Sequence, residues 1–250
     1  MSGRILDRAM ASDHSGIEWT EATWNPTSGC TKVSPGCDHC YAERITQRFP
    51  KTVRNGFALT LRPEALDIPM RWRRPRVIFV NSMSDLFHVE VPEEYLQLVF
   101  DVMRRTPQHT YQVLTKRAER LARVAARLDW PTNVQMGVSV ESPEYVWRID
   151  YLRRVPAAVR FVSAEPLLAA LPNLNLAGID WLIAGGESQA GCRPSKLDWF
   201  RDLRDQCTGA DVAFFLKQLG GHPSKRGGKD AVLDGRRWVQ MPGALNLVVR

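Results

Sequence analysis

The sequence predicts an α/β protein, a complete or partial (β/α) TIM-like barrel of about six to eight parallel strands in a single domain. An open doubly wound sheet is the alternative. Three observations carry the prediction. Short apolar runs rich in β-branched and aromatic residues recur along the chain beyond residue 76. Amphipathic segments with helix start signals lie between several of them. The runs are about 20–35 residues apart, the length of a strand plus its crossover helix in a parallel sheet.

Taken in order, IEWT (17–20) is expected as a first strand, ahead of a cysteine loop, and RVIFV (76–80) as the next. Val91-Pro92-Glu93-Glu94 then places Pro at the first helical position, with Tyr95, Leu96, Val99, Phe100 and Met103 on one face. TYQVL (110–114) is a strand, and Thr115 caps a helix that turns Leu121, Val124, Ala125 and Leu128 inward. NVQMGVSV (133–140) follows, and Ser142-Pro143-Glu144 opens a helix burying Val146, Ile149 and Leu152. VRFVSA (159–164) and DWLIAG (180–185) are the next strands. Ser195 caps a helix whose inner face is Leu197, Phe200, Leu203 and Cys207, and DVAFFL (211–216) is the last strand.

Residues 1–16 lack the apolar core of a secretory signal and read as a flexible tail. Residues 17–250 read as one domain with a C-terminal extension from about 219, since no Gly-, Ser- or Pro-rich linker divides them. No run of about 18 apolar residues is present to cross a membrane. Five cysteines, an odd set without an export signal, suit a reducing cytoplasm and argue against a disulfide framework. The formal net charge is +7, which favours a polyanionic partner such as nucleic acid. The basic residues are dispersed, with RWRRPR (71–76) the densest group; KRAERLARVAARL is explained as the solvated face of an amphipathic helix.

Polar residues collect where the strands end: Asn81-Ser82-Met83-Ser84-Asp85, Thr115-Lys116-Arg117, Ser139 and Glu141, Glu165-Pro166, Gly185-Gly186-Glu187-Ser188 and Lys217-Gln218. A parallel βα architecture brings these carboxyl ends to one face, where active sites of such folds lie. Caps and turns account for part of the set. They account less well for Glu165, Glu187 and Lys217, because charges at buried strand ends need partners.

Cys30, Cys37 and Cys40 have the spacing C-x6-C-x2-C. Thiolates are soft ligands for zinc or for an iron–sulfur cluster. Structural zinc wants a fourth ligand, and His39 lies between two of the cysteines, where it would be strained. CDHC has the form of a thioredoxin-like pair, though without the matching fold. The third option is a four-iron cluster on three thiolates, which leaves one iron open to a small molecule.

Three closely spaced cysteines after the first strand of such a fold resemble the radical S-adenosylmethionine superfamily. WNPTSGCTKVSPGCDHCYAER, FVNSMSDLFH, SAEPLL, LIAGGES and FFLKQLGG are similar to a phage- and mobile-element-associated bacterial family with this C-x6-C-x2-C spacing, from about Ile17 to Met241. The superfamily usually has C-x3-C-x2-C, so this loop is longer by three residues, including Pro35-Gly36. The resemblance implies a [4Fe-4S] cluster on Cys30, Cys37 and Cys40 and S-adenosyl-L-methionine as cofactor, yielding a 5′-deoxyadenosyl radical. It implies His39 near the adenine, with Asn81, Ser82, Ser84 and Asp85 as acceptors for the cofactor's amino group and Ser139 and Glu141 for its ribose. Lys116, Glu165 and Lys217 are the catalytic candidates, and Glu187 and Arg193 the substrate-binding ones. It further implies a low-potential electron donor such as flavodoxin or ferredoxin, and leaves room for a partner protein encoded nearby. With the basic charge, the first substrate class is nucleic acid or a nucleotide, through lyase-type repair or base modification. The rival expectation is a non-enzymatic nucleic-acid-binding protein stabilised by zinc or an iron–sulfur cluster.

Overall fold

A computed structural model describes residues 11–12, 15–48, 55–222, 224 and 231–243. In chain order the strands are β1 (Ala11–Ser12), β2 (Ala22–Trp24), β3 (Thr27–Ser28), β4 (Thr60–Leu61), β5 (Val77–Val80), β6 (Thr110–Thr115), β7 (Val134–Ser139), β8 (Val159–Ala164), β9 (Trp181–Gly185) and β10 (Ala213–Gln218). The α-helices are α1 (Tyr41–Arg48), α2 (Ile68–Arg71), α3 (Glu93–Arg105), α4 (Ala118–Ala125), α5 (Trp147–Leu152) and α6 (Leu197–Gly209). An eight-stranded sheet has the order β1-β2-β5-β6-β7-β8-β9-β10, and β3 pairs with β4 in a small second sheet. β1 runs antiparallel to β2, whereas β2–β5, β5–β6, β8–β9 and β9–β10 are parallel. The α/β class with a mostly parallel sheet is therefore as expected. Most of the first 16 residues and part of the C-terminal extension fall outside the described residues. No described helix is long and apolar enough to cross a membrane.

The chain divides into two compact units, Met1–Met136 with Arg154–Ala158, and Gly137–Arg153 with Val159–Arg250. In the first, β5 buries all four of its side chains, as a strand covered on both faces must. α3 buries Tyr95, Leu96, Val99, Phe100, Val102 and Met103, each full burial contributing roughly 1.5–3 kcal/mol. Glu93 and Glu94 occupy its first turn and Arg104 and Arg105 its last, both favourable to the helix dipole. α4 buries Ala118, Leu121, Val124 and Ala125.

In the second unit, β8 and β9 form a parallel ladder from Phe161–Trp181 to Ala164–Ala184. Gly137 admits the ring of Phe161, whose edge would lie 2.4 Å from an added Cβ. α6 buries Phe200, Leu203 and Cys207. A turn at 233–236 is tied to this helix by Asp234, which accepts from Arg201 and Arg204.

Several local expectations are corrected. IEWT is a turn, with the Thr20 amide donating to the Ile17 carbonyl, and the strand is Ala22–Trp24. Trp19 and Thr20 are buried, but Thr20 Oγ1 donates to the Ala22 and Val77 carbonyls, ending the turn rather than joining the ladder. Pro92 is the N-cap of α3 rather than its first residue. Thr115 is the last residue of β6 and not the cap of α4, whose N-cap is Arg117. Ser142 caps a short 3-10 turn (Pro143–Tyr145) ahead of α5, and Val146 is only half-buried. Ser195 donates to the Leu219 carbonyl, Lys196 is the N-cap of α6, and Leu197 is exposed. The last strand begins two residues later than expected, because Asp211 (φ 55°) and the Val212 amide bonded to the Cys207 carbonyl still belong to the helix exit.

Candidate functional site

The cysteine loop leaves the carboxyl end of β2 through β3, and its entry is fixed by backbone contacts. Gly29 has φ +80°, and an added Cβ would lie 2.1 Å from the Ala58 carbonyl oxygen. Its amide donates to the Met83 carbonyl (3.0 Å), and the Cys30 amide to that of Phe57 (3.0 Å). Cys37 closes the 3-10 turn Pro35–Cys37, its amide donating to Ser34 (2.9 Å). Cys40 directly precedes α1, and its carbonyl accepts from the Arg44 amide (3.2 Å). The Tyr41 hydroxyl of α1 donates to the Ser82 carbonyl, tying the helix to the end of β5.

All five cysteines are free thiols, and Cys30, Cys37 and Cys40 are each half-buried. Burial, and secondarily the Asp85 carboxylate, pushes the Cys30 thiol up to about 11 against the opposing pull of Arg117. His39 is half-buried between Cys37 and Cys40. Among the described residues, no group of three or more His, Cys, Asp or Glu side chains is gathered so as to hold a metal ion.

The turn after β5 faces this loop. Asn81 is in the left-handed region (φ 62°), its amide donating to the Trp24 carbonyl (2.8 Å) at the end of β2. Its Nδ2 donates to Thr27 Oγ1 and to Ser84 Oγ (2.6 Å), while its buried Oδ1 has no hydrogen-bond partner. Ser82 Oγ donates to Asn25 Oδ1 (3.1 Å), and Ser84 Oγ to the Thr27 carbonyl (2.9 Å). Asp85 is saturated. Its Oδ1 accepts from Thr115 Oγ1 (2.7 Å) and the Phe87 amide (3.0 Å), its Oδ2 from the Lys116 amide (3.1 Å) and Arg117 Nη1 (3.1 Å).

Arg117 was not among the expected site residues. Its Nη1 also donates to Cys30 Sγ (3.5 Å), and its Nη2 to the carbonyl (3.0 Å) and Oγ1 (2.9 Å) of Thr31. His88 Nε2 lies 2.9 Å from Thr31 Oγ1, and burial, followed by the nearby Arg117 charge, lowers its pKa. The sequence signal for it is the basic pair that follows a strand, Lys116-Arg117, of which Lys116 contributes its backbone amide to Asp85.

The remaining candidates lie in the second unit and pair among themselves. Lys217 Nζ donates to Glu165 Oε1, and an added Cβ on Gly185 would lie 3.1 Å from the Glu165 carboxyl carbon. Glu187 accepts from the Arg193 amide (2.8 Å) and Nε (3.1 Å). Gly186 permits close approach, since a Cβ there would meet the Leu219 carbonyl oxygen at 2.7 Å and Ser195 Oγ at 2.8 Å. Glu141 is fully buried and accepts from Arg148 Nη1 (2.8 Å), which also donates to the Ser139 carbonyl (2.8 Å). The Arg148 guanidinium stacks 4.3 Å from the Tyr145 ring centroid, and Glu141 Oε1 has no hydrogen-bond partner. Buried charges need such pairing.

The donor types fit an iron–sulfur group: three soft sulfurs lie on one loop, and Asn81 Oδ1, on the turn after β5, is a buried, unpartnered amide oxygen of the kind an ammonium takes.

Three solved structures of spore photoproduct lyase resemble the chain. A Tyr-to-Phe variant is 13% identical with TM-score 0.47, covering 80% of this chain and 56% of that one. A double variant with bound AdoMet and dinucleoside spore photoproduct is 15% identical with TM-score 0.47, covering 83% and 59%. A Cys-to-Ser variant is 14% identical with TM-score 0.48, covering 85% and 62%. The chain thus spans less than two thirds of each. No curated protein matches the sequence. The family model described as "Protein of unknown function (DUF5131)" matches residues 14–242, and the chain belongs to that family.

Proposed function

We propose that this chain is a radical S-adenosylmethionine enzyme holding one [4Fe-4S] cluster through Cys30, Cys37 and Cys40, with nucleic acid or a nucleotide as its substrate class. The observation that carries the reading is that the three-thiol loop and the unpartnered Oδ1 of Asn81 follow β2 and β5, two strands paired in parallel. When bound, the cluster and S-adenosylmethionine supply one-electron carbon–sulfur cleavage and hydrogen abstraction. Asn81 Oδ1 accepts from the cofactor's ammonium, with Ser82 and Ser84 holding the turn that aims it. His39 would lie near the adenine. Cys30, Cys37 and Cys40 would hold the cluster as thiolates, the form of cysteine that ligates.

Glu165 and Lys217 are the candidates to hold or move a proton on substrate, and Glu187 and Arg193 those to bind it, once substrate exchanges for their present partners. The net charge of +7 supports a phosphate-bearing substrate.

The test is anaerobic incubation of the reduced, reconstituted protein with S-adenosylmethionine. Formation of 5′-deoxyadenosine is expected, and its loss in Asn81→Leu with the cluster retained. An intact cluster that yields none overturns the radical reading. One tightly held zinc with negligible sulfide supports the non-enzymatic rival instead.

A further inference from the structure

The geometry points to Arg117 as the residue that positions and electronically tunes the first cluster ligand, Cys30, an inference that rests on the cluster reading above. Three observations converge. Arg117 makes contact through both terminal nitrogens, Nη1 with Cys30 Sγ (3.5 Å) and Nη2 with the carbonyl and hydroxyl of Thr31. The guanidinium is itself held by Asp85 Oδ2 (3.1 Å), and Asp85 is fixed in turn by Thr115 Oγ1 and the Phe87 and Lys116 amides. The Asp85 and Arg117 side chains are 9% and 11% exposed, so the pair is poorly screened by solvent. The saturated carboxylate of Asp85 serves this arginine rather than a cofactor ammonium.

A guanidinium fork fixed at one end orients what it grips at the other. Arg117 holds Cys30 and Thr31 against the end of β6. With a cluster present, an N–H donated to the ligand sulfur withdraws electron density from the thiolate and favours the reduced, more negative cluster. Arg117 therefore raises the midpoint potential of the cluster and restrains the first arm of the loop.

The experiment compares Arg117→Gln and Arg117→Lys with Arg120→Gln. Arg120 lies on the adjacent helix and donates to the Val89 and Val91 carbonyls, not to sulfur. Amide exchange over residues 31–37 of the metal-free proteins is expected to rise about tenfold in R117Q, less in R117K, and not in R120Q. After reconstitution, the midpoint potential is expected to move negative in R117Q, beyond any change in R120Q, with R117K between, because lysine keeps the charge and loses the fork. Wild-type exchange in both Arg117 variants overturns the clamp, and a potential no lower than that of R120Q overturns the tuning of the sulfur. R117K guards against a folding failure of R117Q. A wild-type chain that takes up no iron or sulfide refutes the cluster reading, and with it the tuning, while the exchange comparison still decides the clamp.

Discussion

Gly29 passes so near Ala58 that a side-chain carbon on it would sit 2.1 Å from the Ala58 carbonyl oxygen, while its own φ is +80°. Both features exclude any other residue at the threshold of the cysteine loop. Gly56 shares the left-handed conformation (φ +57°) but has nothing within 4 Å of the corresponding position. Gly56→Ala should therefore cost only the conformational term, roughly 1–2 kcal/mol. Gly29→Ala should cost more, since backbone must move. Urea denaturation of the two variants isolates the close approach as their difference; equal losses contradict it.

The buried Glu141–Arg148 pair predicts an asymmetric mutational response. Arg148→Met leaves a fully buried carboxylate without its cation, an expected loss of about 3–5 kcal/mol. Glu141→Leu combined with Arg148→Met removes both charges and should recover much of that loss. A double variant no more stable than R148M would show that Arg148 matters through its packing on Tyr145 and its bond to the Ser139 carbonyl.

Hydrogen bonds from Arg201 and then Arg204 hold the Asp234 carboxyl down at about 2, against an ordinary 3.8. A folded-state pKa below the unfolded one gives stability that is present above about pH 4 and is lost as pH falls through the folded value. The wild type should therefore exceed Asp234→Asn in stability at pH 6, with the gap closing between about pH 4 and 2. Thermal melts across that range check this, and a gap independent of pH would show that charge is not its source.

Much of the sheet was legible because buried parallel strands leave a strong local mark: Val77–Val80 is a short run of β-branched and aromatic residues, and Val159–Ala164 is built around Val159, Phe161 and Val162. The first strand was misplaced because Trp19 and Thr20 are buried as a turn, and burial alone does not distinguish turn from strand. Thr115 and Ser195 have the local pattern of helix caps, and Thr115 Oγ1 does accept from the Arg117 amide, but their hydroxyls also donate to Asp85 and Leu219, long-range partners that a local pattern does not reveal. The same limit hid Arg117. Its sulfur partner lies 87 residues away, so no spacing rule links them. Asp85 looks like an open acceptor in the sequence for the same reason, since nothing in NSMSDLF shows that both its oxygens are already bonded.

The central claim is that three thiols share one iron–sulfur cluster, and the most direct measurement is iron and acid-labile sulfide per chain after anaerobic reconstitution. About four of each are expected for the wild type and for Cys192→Ala and Cys207→Ala, with collapse in Cys30→Ala, Cys37→Ala and Cys40→Ala. Negligible sulfide in the wild type, or full loading when any one of those three cysteines is replaced, would contradict it.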